Sequence, residues 1–503
     1  MSRATTPRPS ARRDGFHRVL HAEWTKFRTV RAWVAGVVAA ALMVVLVALL
    51  AGVSSDRRGG PAVPVGPGGE PVTDSFYFVH RPLTGNGGLT ASVTGLRSSS
   101  PTGPAGVLPT TLPWAKAGLV LKNGTGQGST YAAIMVTGGH GVRMQDDYVN
   151  DTAGPSSAEA PRLLRLERSG DAVTGYASPD GVRWDVVGTV HLDGLGSTVQ
   201  VGLFVASPPE VRGMGTVGTV STAVFGDVAV RGDLPGGGWT GDQLGPGSPT
   251  FAGYPGGTSG SVAESGGRFT VTGAGDLAPA VRDSLPTGGT HAVLLTGTFP
   301  ALIAVIVLGA LSTTAEYRER LIHITLTAVP GRGRVLVAKA VVLGAVTFAA
   351  GMAGAAVALP LGERLAEANG VRFFPVTAPE QFRIVVGTAA LLATASILSL
   401  AVGAVFRRGA GAITAVIAVV VLPHLLIANP FMPAGVADRL AGVTPAAAFA
   451  VQQTLVRYHQ VSSGYTPYNG YYPLAPWAGY AVLAGYAVLA MAVAVVVVRR
   501  RDA

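Results

Sequence analysis

The chain has no cysteine, which excludes disulfides, thiolate metal ligands and cysteine nucleophiles and removes the usual clue to redox compartment. It is also poor in charge. Only 13% of its 503 residues are Asp, Glu, Lys or Arg while 48% are hydrophobic, a balance too apolar for a purely soluble protein. No Gly-x-x-x-x-Gly-Lys-Ser/Thr loop is present to cradle nucleotide phosphates, so the chain lacks the means to be an ATPase itself. Nor is there a Gly-x-Ser-x-Gly elbow or a His-Glu-x-x-His pair to organise a hydrolytic centre. Neither enzyme activity nor a bound cofactor is therefore expected. The formal net charge of +10 raises the question of nucleic acid, but Lys and Arg gather at the edges of apolar runs, so no nucleic-acid partner is expected.

What the chain does have is long apolar runs. Residues 32–53 form an uncharged stretch of about the ~20 residues that cross a bilayer, and comparable runs occupy 291–312, 335–361, 384–406, 410–428 and 474–498. These make six candidate spans. Residues 1–31 carry eight Lys or Arg against Asp14 and Glu23, which places the amino terminus in the cytoplasm by the positive-inside rule. A cleaved signal peptide competes with this reading, but the basic region is too long and the apolar core exceeds the usual ~7–15 residues. Within the leader, Phe16, Val19, Leu20, Trp24, Phe27 and Val30 recur at helical spacing among Arg18, Lys26 and Arg28, the pattern of an amphipathic helix lying on a bilayer. Alternation from a cytoplasmic start puts the charged connector 313–334, Arg407 with Arg408, and Arg499 to Arg501 all inside. No span holds a charge in its middle, which argues against a carrier driven by protons or sodium. His424 beside Pro423 is the single titratable exception and reads as a packing histidine at a kink.

Residues 54–290 contain no run able to span. Short segments rich in Val, Leu and aromatics, among them FYFVH, LTASV, AGLVL, YAAIMV, RLLRLERSG and VQVGLFVAS, are punctuated by Gly, Asn, Asp and Pro, the rhythm of an antiparallel sandwich. Its place after an inside-to-outside span makes it extracellular. Gly232 to Gly267 is dense in Gly, Pro and Ser and reads partly as loop. Gly267 to Pro279 reads either as a late strand or as a stalk. Asp146, Asp147, Asn150 and Asp151 are oxygen donors that calcium could use, although their spacing matches no EF-hand loop and solvated loop acids are the plainer reading. In the last outer segment, 429–473, Tyr465, Tyr468, Tyr471 and Tyr472, with Trp477 beyond, suggest an aromatic interface belt.

Two resemblances add to this. Trp114 to Asn123, Arg165 to Val190 and Val201 to Ser207 resemble the concanavalin-like jelly-roll family over roughly Asp74 to Val230. The likeness implies a hairpin turn at Ser178-Pro-Asp-Gly181 with Gly181 at positive φ, and a core position for Trp184. A carbohydrate site that uses Trp184, Trp114 or Tyr176 as a stacking platform, for a cell-wall glycan, is the functional alternative. His21 to Trp33, Thr314 to Val342 and the carboxyl-terminal VTPAAAFAVQQT, YTPYNGYYPLAPWAGY and RRRDA are similar to actinobacterial permease subunits of ABC transporters in the type-2 exporter class. That resemblance implies a polytopic α-helical membrane protein that works as a homodimer or heterodimer with a second permease. A separate cytoplasmic ATP-binding subunit would dock on the 313–334 connector through Glu316, Tyr317, Arg318, Arg320 and Arg334, and the cargo would be amphiphilic or drug-like. The inserted β domain departs from the family pattern of a short loop. A membrane-anchored glycan-binding or sensory protein, with the spans as mere anchor, is the competing expectation.

Overall fold

The computed structural model describes residues 15–55, 63–101, 107–110, 112–154, 162–212, 215–245, 260–281, 289–319, 332–429, 431–461 and 465–501. A helical bundle and a β-sandwich divide them. Among the described residues six helical segments are long and apolar enough to cross a membrane, the fifth of them running unbroken over Gly409–Ile427. The amino-terminal pair is α1 (Phe16–Thr29) and α2 (Arg31–Ser54). After the β domain come α3 (His291–Leu294), α4 (Thr298–Arg318), α5 (Arg332–Ala368), α6 (Ala378–Phe406), α7 (Gly409–Val416), α8 (Leu422–Ile427), α9 (Ala434–Val443) and α10 (Pro476–Arg501).

Bulky apolar side chains fill the bundle core, and small residues let the helices approach closely at particular points. A Cβ at Gly309 of α4 would lie 2.3 Å from the Ser396 carbonyl oxygen of α6. Ser399 of α6 donates its hydroxyl to the Ile306 carbonyl of α4 at 2.6 Å. Between α7 and α8 the chain makes one π-helical turn, Ile417–Val421. Pro423 follows it, and a proline has no N–H to donate and crowds the carbonyl four residues back, so the wider turn absorbs the misfit. His424, beside that proline, is a packing residue as expected. Its ring stacks on Phe449 at 3.9 Å and on Phe299 at 5.4 Å between centroids.

Two expectations change here. The run expected as a single span at 291–312 is broken after α3, and the helix long and apolar enough to span is Thr298–Arg318. The segment expected outside at 429–473 enters the bundle: α9 leads into a 3₁₀ stretch, Pro445–Gln452, every residue of which is buried. Gln452 donates its side-chain amide to Thr298 Oγ1 at 2.9 Å and to Thr388 Oγ1 at 3.0 Å, so a polar group inside an apolar bundle finds partners on α4 and α6. The aromatic belt is accordingly split. Tyr468 and Trp477 are exposed, whereas Tyr472 is buried and Tyr465 turns inward to hydrogen-bond the Tyr458 backbone.

The β domain contains β1 (Val72–Asp74), β2 (Phe76–Pro101), β3 (Val107–Thr110), β4 (Lys116–Lys122), β5 (Tyr131–Thr137), β6 (Val142–Asp146), β7 (Asn150–Ala153), β8 (Arg162–Ser169) and β9 (Ala172–Ser178). It continues with β10 (Asp185–His191), β11 (Thr198–Ala206), β12 (Glu210–Arg212), β13 (Gly215–Val217), β14 (Val220–Asp233), β15 (Thr240–Leu244), β16 (Ser261–Ser265), β17 (Arg268–Gly273) and β18 (Leu277–Pro279). Two antiparallel layers share β2. Its first part lies between β11 and β15, in the layer that continues through β4, β5, β6 and β7. The later part lies between β8 and β14, in the layer that carries β9 and β10 on one flank and β17 and β16 on the other. FYFVH and LTASV, read from sequence as separate strands, are therefore one long strand that changes layer through the intervening Gly-rich RPLTGNGG. Leu119, Leu121, Ile134, Leu164, Leu166 and Val173 fill the core between the layers. Inside the Gly-rich 232–267 stretch, β15 and β16 are ordered strands, and β17 closes the sandwich against β14 as the late-strand reading expects.

Candidate functional site

Charged residues from well-separated parts of the sequence meet at the end of the bundle away from the β domain. Phe16–Thr29 forms a helix whose Val19, Glu23 and Phe27, four residues apart, are its buried side chains. Val19 packs with Val335 and Ala338 of α5, while Phe16 and Trp24 stay exposed on another flank. Beside this seam Glu316, in the last turn of α4, is 3% exposed. Its Oε1 accepts from Lys26 Nζ of α1 and from Lys339 Nζ of α5. Lys339 Nζ also donates to the Ser312 carbonyl at 3.1 Å and stands 3.6 Å from Glu23. Two carboxylates and two ammonium groups thus close a neutral cluster that joins three helices. A charge of either sign would be costly there alone, so removing any one partner strands another.

Around the cluster lie the other expected contacts. Tyr317 is half-buried, with the Arg407 guanidinium 4.9 Å above its ring. Arg318, whose side chain is 81% exposed, is 3.7 Å from Glu319. Arg334 is exposed on the first turn of α5, and a Cβ at its neighbour Gly333 would lie 3.2 Å from Val495 and 3.3 Å from the Arg499 guanidinium of α10. The basic groups of the three turns therefore share one end of the bundle. Arg320 and most of the 313–334 connector lie outside the described residues, as do residues 1–14. Glu316 is buried and paired within its own chain. The residues that complete its site, Glu23, Lys26 and Lys339, read from the sequence only as charges that set topology or the polar face of a helix, not as partners of Glu316. A signal was available, since Lys339 is a charge set inside an apolar run and Glu23 interrupts an apolar stripe.

At the opposite end the β domain is fastened by its entry and exit strands. β1 and β18 pair antiparallel, Val72 opposite Pro279, and cross the outer face of β4. Lys116 and Lys122 stand on that face with Val120 between them, at the two-residue period of a strand. Lys122 Nζ donates to Asp74 Oδ2 at 2.7 Å, Tyr148 Oη at 2.8 Å and the Ser129 carbonyl at 3.0 Å, which uses all three of its protons. Lys116 Nζ reaches Asp276 at 2.5 Å and the Leu277 carbonyl at 2.8 Å. Burial holds the Lys122 ammonium below the ordinary lysine value although Asp74 pulls it upward. It also raises the Asp276 carboxyl against the pull of Lys116. The neck then meets the bundle's crown: Val281 packs with Phe374, Leu455 and Val461, and the Gln460 amide donates to the Tyr148 and Val149 carbonyls at 3.2 and 3.1 Å.

The proposed carbohydrate platform does not assemble from its three aromatics. Trp114 is buried and stacked on His140, 4.1 Å between centroids, at the β5–β6 turn. Trp184 and Tyr176 belong to the β8–β9–β10 edge. Trp184 was expected in the core; instead it is half-buried in the hairpin before β10, its Nε1 donating to Gly181 at 3.1 Å and Arg165 lying 3.9 Å over its ring. Gly181 does take the expected positive φ, 76°. The acids considered for calcium have protein partners. Asp151 binds Arg143 and Gln145, Asp146 accepts from Asn150, and Asp147 accepts from the Tyr131 backbone. Among the described residues no group of three or more His, Asp or Glu side chains is arranged to hold a metal.

No family model matches the chain, and neither does any curated protein. Among solved structures, a functionally unknown protein from Saccharomyces cerevisiae is similar at 16% identity over 33% of this chain and 77% of the yeast chain, with a TM-score of 0.22. SCP-B, a member of the eqolisin family of peptidases in complex with the tripeptide Ala-Ile-His, is similar at 9% identity over 40% of this chain and 98% of that one, with a TM-score of 0.24. Likenesses at these scores carry no argument about the fold or chemistry of this chain.

Proposed function

We propose that the chain is the permease subunit of an ATP-driven transporter of the ABC exporter type, working as a pair of like or related subunits with a separate cytoplasmic ATP-binding subunit. The observation that carries the reading is the Lys26–Glu316–Lys339 joint. It binds α1, α4 and α5 together where the charged connector leaves α4, so a push on that connector is delivered to three helices at once. The chain has no phosphate-binding loop of its own, and energy must enter from a partner. In this reading Glu316 is a positioning residue that stiffens the connector's root, while Arg318 and Arg334 are the exposed groups that touch the partner. α1 lies along the inner membrane surface with Phe16 and Trp24 toward lipid, and the sandwich stands outside the cell. The cargo is amphiphilic or drug-like, in keeping with uncharged helix interiors.

Affinity purification of the full chain from native membranes in mild detergent tests this. A co-purified nucleotide-binding chain, with ATPase activity that amphiphiles stimulate, is the expected result. A chain purified alone, with no ATPase associated under conditions that keep the bundle folded, would leave the six helices as an anchor.

A further inference from the structure

The two layers of the sandwich differ in what covers their outer faces. The β4 layer is roofed by the neck, whereas the β8–β9–β10 layer is open. In that open layer Leu164, Leu166 and Val173 point into the core, so the alternate residues Arg165, Glu167, Thr174 and Tyr176 stand on the outer face. There they line a groove of about 320 Å³ together with Thr90 of β2, Arg168 of β8 and Arg231 of β14. Its charge is lopsided: among the described lining residues, Arg165 and Arg231 face one carboxylate, Glu167, on the outer side, while Arg168 turns its guanidinium to backbone carbonyls.

The arginines have different roles. Arg168 is buried and donates from Nε to Gly170 at 2.9 Å and from Nη2 to Gly196 at 2.7 Å, so it holds the floor. Arg165 sets its guanidinium carbon 3.9 Å over the centre of the Trp184 ring, and the indole itself donates to the Gly181 carbonyl. A stacked guanidinium keeps its N–H edge for an acceptor in its own plane, the geometry suited to carboxylate or phosphate. Glu167 is 3.7 Å from it, too far to occupy that edge with a hydrogen bond. Arg231 is exposed on the other wall. Hydroxyls of Thr90 and Thr174 and the half-buried ring of Tyr176 complete a surface that is polar with one flat apolar patch, as sugars require. The size is near the lower end of small-molecule sites, ~300–1,000 Å³, and suits one monomer unit.

We infer that this groove binds an anionic saccharide or polyol unit, one bearing a carboxylate or phosphate, in a polymer outside the cell. The anion sits between Arg165 and Arg231 with its ring or chain against Tyr176. Placement outside rests on the orientation proposed above; binding of the unit does not, and its failure would leave the permease reading untouched.

Titration of the full-length protein in detergent with fluorescent tri-galacturonate, a glycerol phosphate oligomer and maltotriose tests it. One or both anionic probes should bind and weaken with salt, and maltotriose should bind at least about tenfold more weakly. Whichever anion binds better identifies carboxylate or phosphate as the natural group. Arg231→Glu, at an exposed position, should weaken the anion about tenfold or more without altering thermal unfolding of the sandwich. Trp184→Leu, which removes the platform under Arg165, should act in the same direction. Equal binding of maltotriose, no binding of either anion, or an Arg231→Glu variant that binds anions as the parent does would overturn the inference.

Discussion

At the neck, Lys116 and Lys122 stand on one strand, and each faces a carboxylate of its own. At the charged end of the bundle, Lys26 and Lys339 come from two helices and share Glu316, with Glu23 behind. The first arrangement is a lock. Every proton of Lys122 is bonded, Asp74 Oδ2 also accepts from Gly128 at 2.8 Å and Tyr148 Oη at 2.7 Å, and the pair is fully enclosed. The second is a joint. Lys26 keeps 28% of its side chain exposed, and Glu316 is shared by groups that ride on separate helices. The lesson is that ion pairs enclosed between two packed sheets fasten a domain, whereas an ion pair shared among separate helices, with one partner open to solvent, ties those helices at a single point.

Breaking the lock should give the largest effect. Lys122→Met strands Asp74 in the interior, and loss of one partner of a buried pair costs ~3–5 kcal/mol; thermal or denaturant unfolding of the sandwich, followed by tryptophan fluorescence, measures it. Replacing both partners, Lys122→Met with Asp74→Leu, should recover a substantial part, because no charge is then left unpaired. If the double variant is no better than the single one, the hydrogen bonds to Tyr148 and Ser129 matter more than the charges.

The joint should respond less in stability and more in activity. Glu316→Gln removes charge-assisted bonds worth ~1.5–3 kcal/mol, but Lys26 has water and Lys339 keeps Glu23 at 3.6 Å. Bundle melting should fall modestly and sandwich melting not at all, while ATP-dependent transport in vesicles should be lost even though the ATP-binding partner still co-purifies. Retained transport would reduce Glu316 to a packing role.

Smaller still is a pH effect at the neck. Glu70 is buried, its Oε1 has no hydrogen-bond partner among the described residues, and burial first, then the charge of Asp147, raises its carboxyl above the ordinary 4.5. Between the unfolded value near 4.5 and the raised folded value the folded state holds a proton that the unfolded chain has released, so the contribution of Glu70 to stability is fully present below about 4.5 and is lost as pH rises through the folded value. Glu70→Gln should flatten that slope and leave the sandwich more stable at neutral pH. An unchanged slope would assign the dependence to another neck acid.

No stability change is expected from the last comparison, which concerns orientation. With no native cysteine, single-cysteine variants report unambiguously. Val182→Cys on the sandwich, at a position 86% exposed, should react with an impermeant maleimide in intact cells, and Arg318→Cys only after permeabilisation. The reverse pattern would invert the proposed topology.

Much of this architecture was legible in the residues. Six apolar runs, a strand-rich insertion and the gathering of arginines at alternate turns depend on composition and period, which local sequence carries. What was not legible depends on contacts distant in the chain. Lys26 and Glu316 are 290 positions apart, and nothing local marks them as partners. The burial of 445–452 was hidden because Pro and small residues permit a 3₁₀ path that has no apolar stripe. Trp184 misled because a tryptophan between strands usually fills a core, whereas here a hairpin presents it to Arg165. The lysines of β4 came closest to being visible. Two on one strand face, flanking Val120, equally fit a solvent-facing side, and it is the strands β1 and β18 laid over that face that bring Asp74 and Asp276 to them.

The central claim is that an ATP-binding subunit docks beside the root of α4. Arg318→Cys, in the otherwise cysteine-free chain, can be cross-linked in native membranes with a short bifunctional thiol-to-amine reagent, with Val182→Cys as control. The account predicts a product from Arg318→Cys alone that contains a nucleotide-binding chain and whose yield changes between ATP and nucleotide-free conditions. Absence of any such product, with Arg318→Cys fully reactive toward a small maleimide, would contradict it.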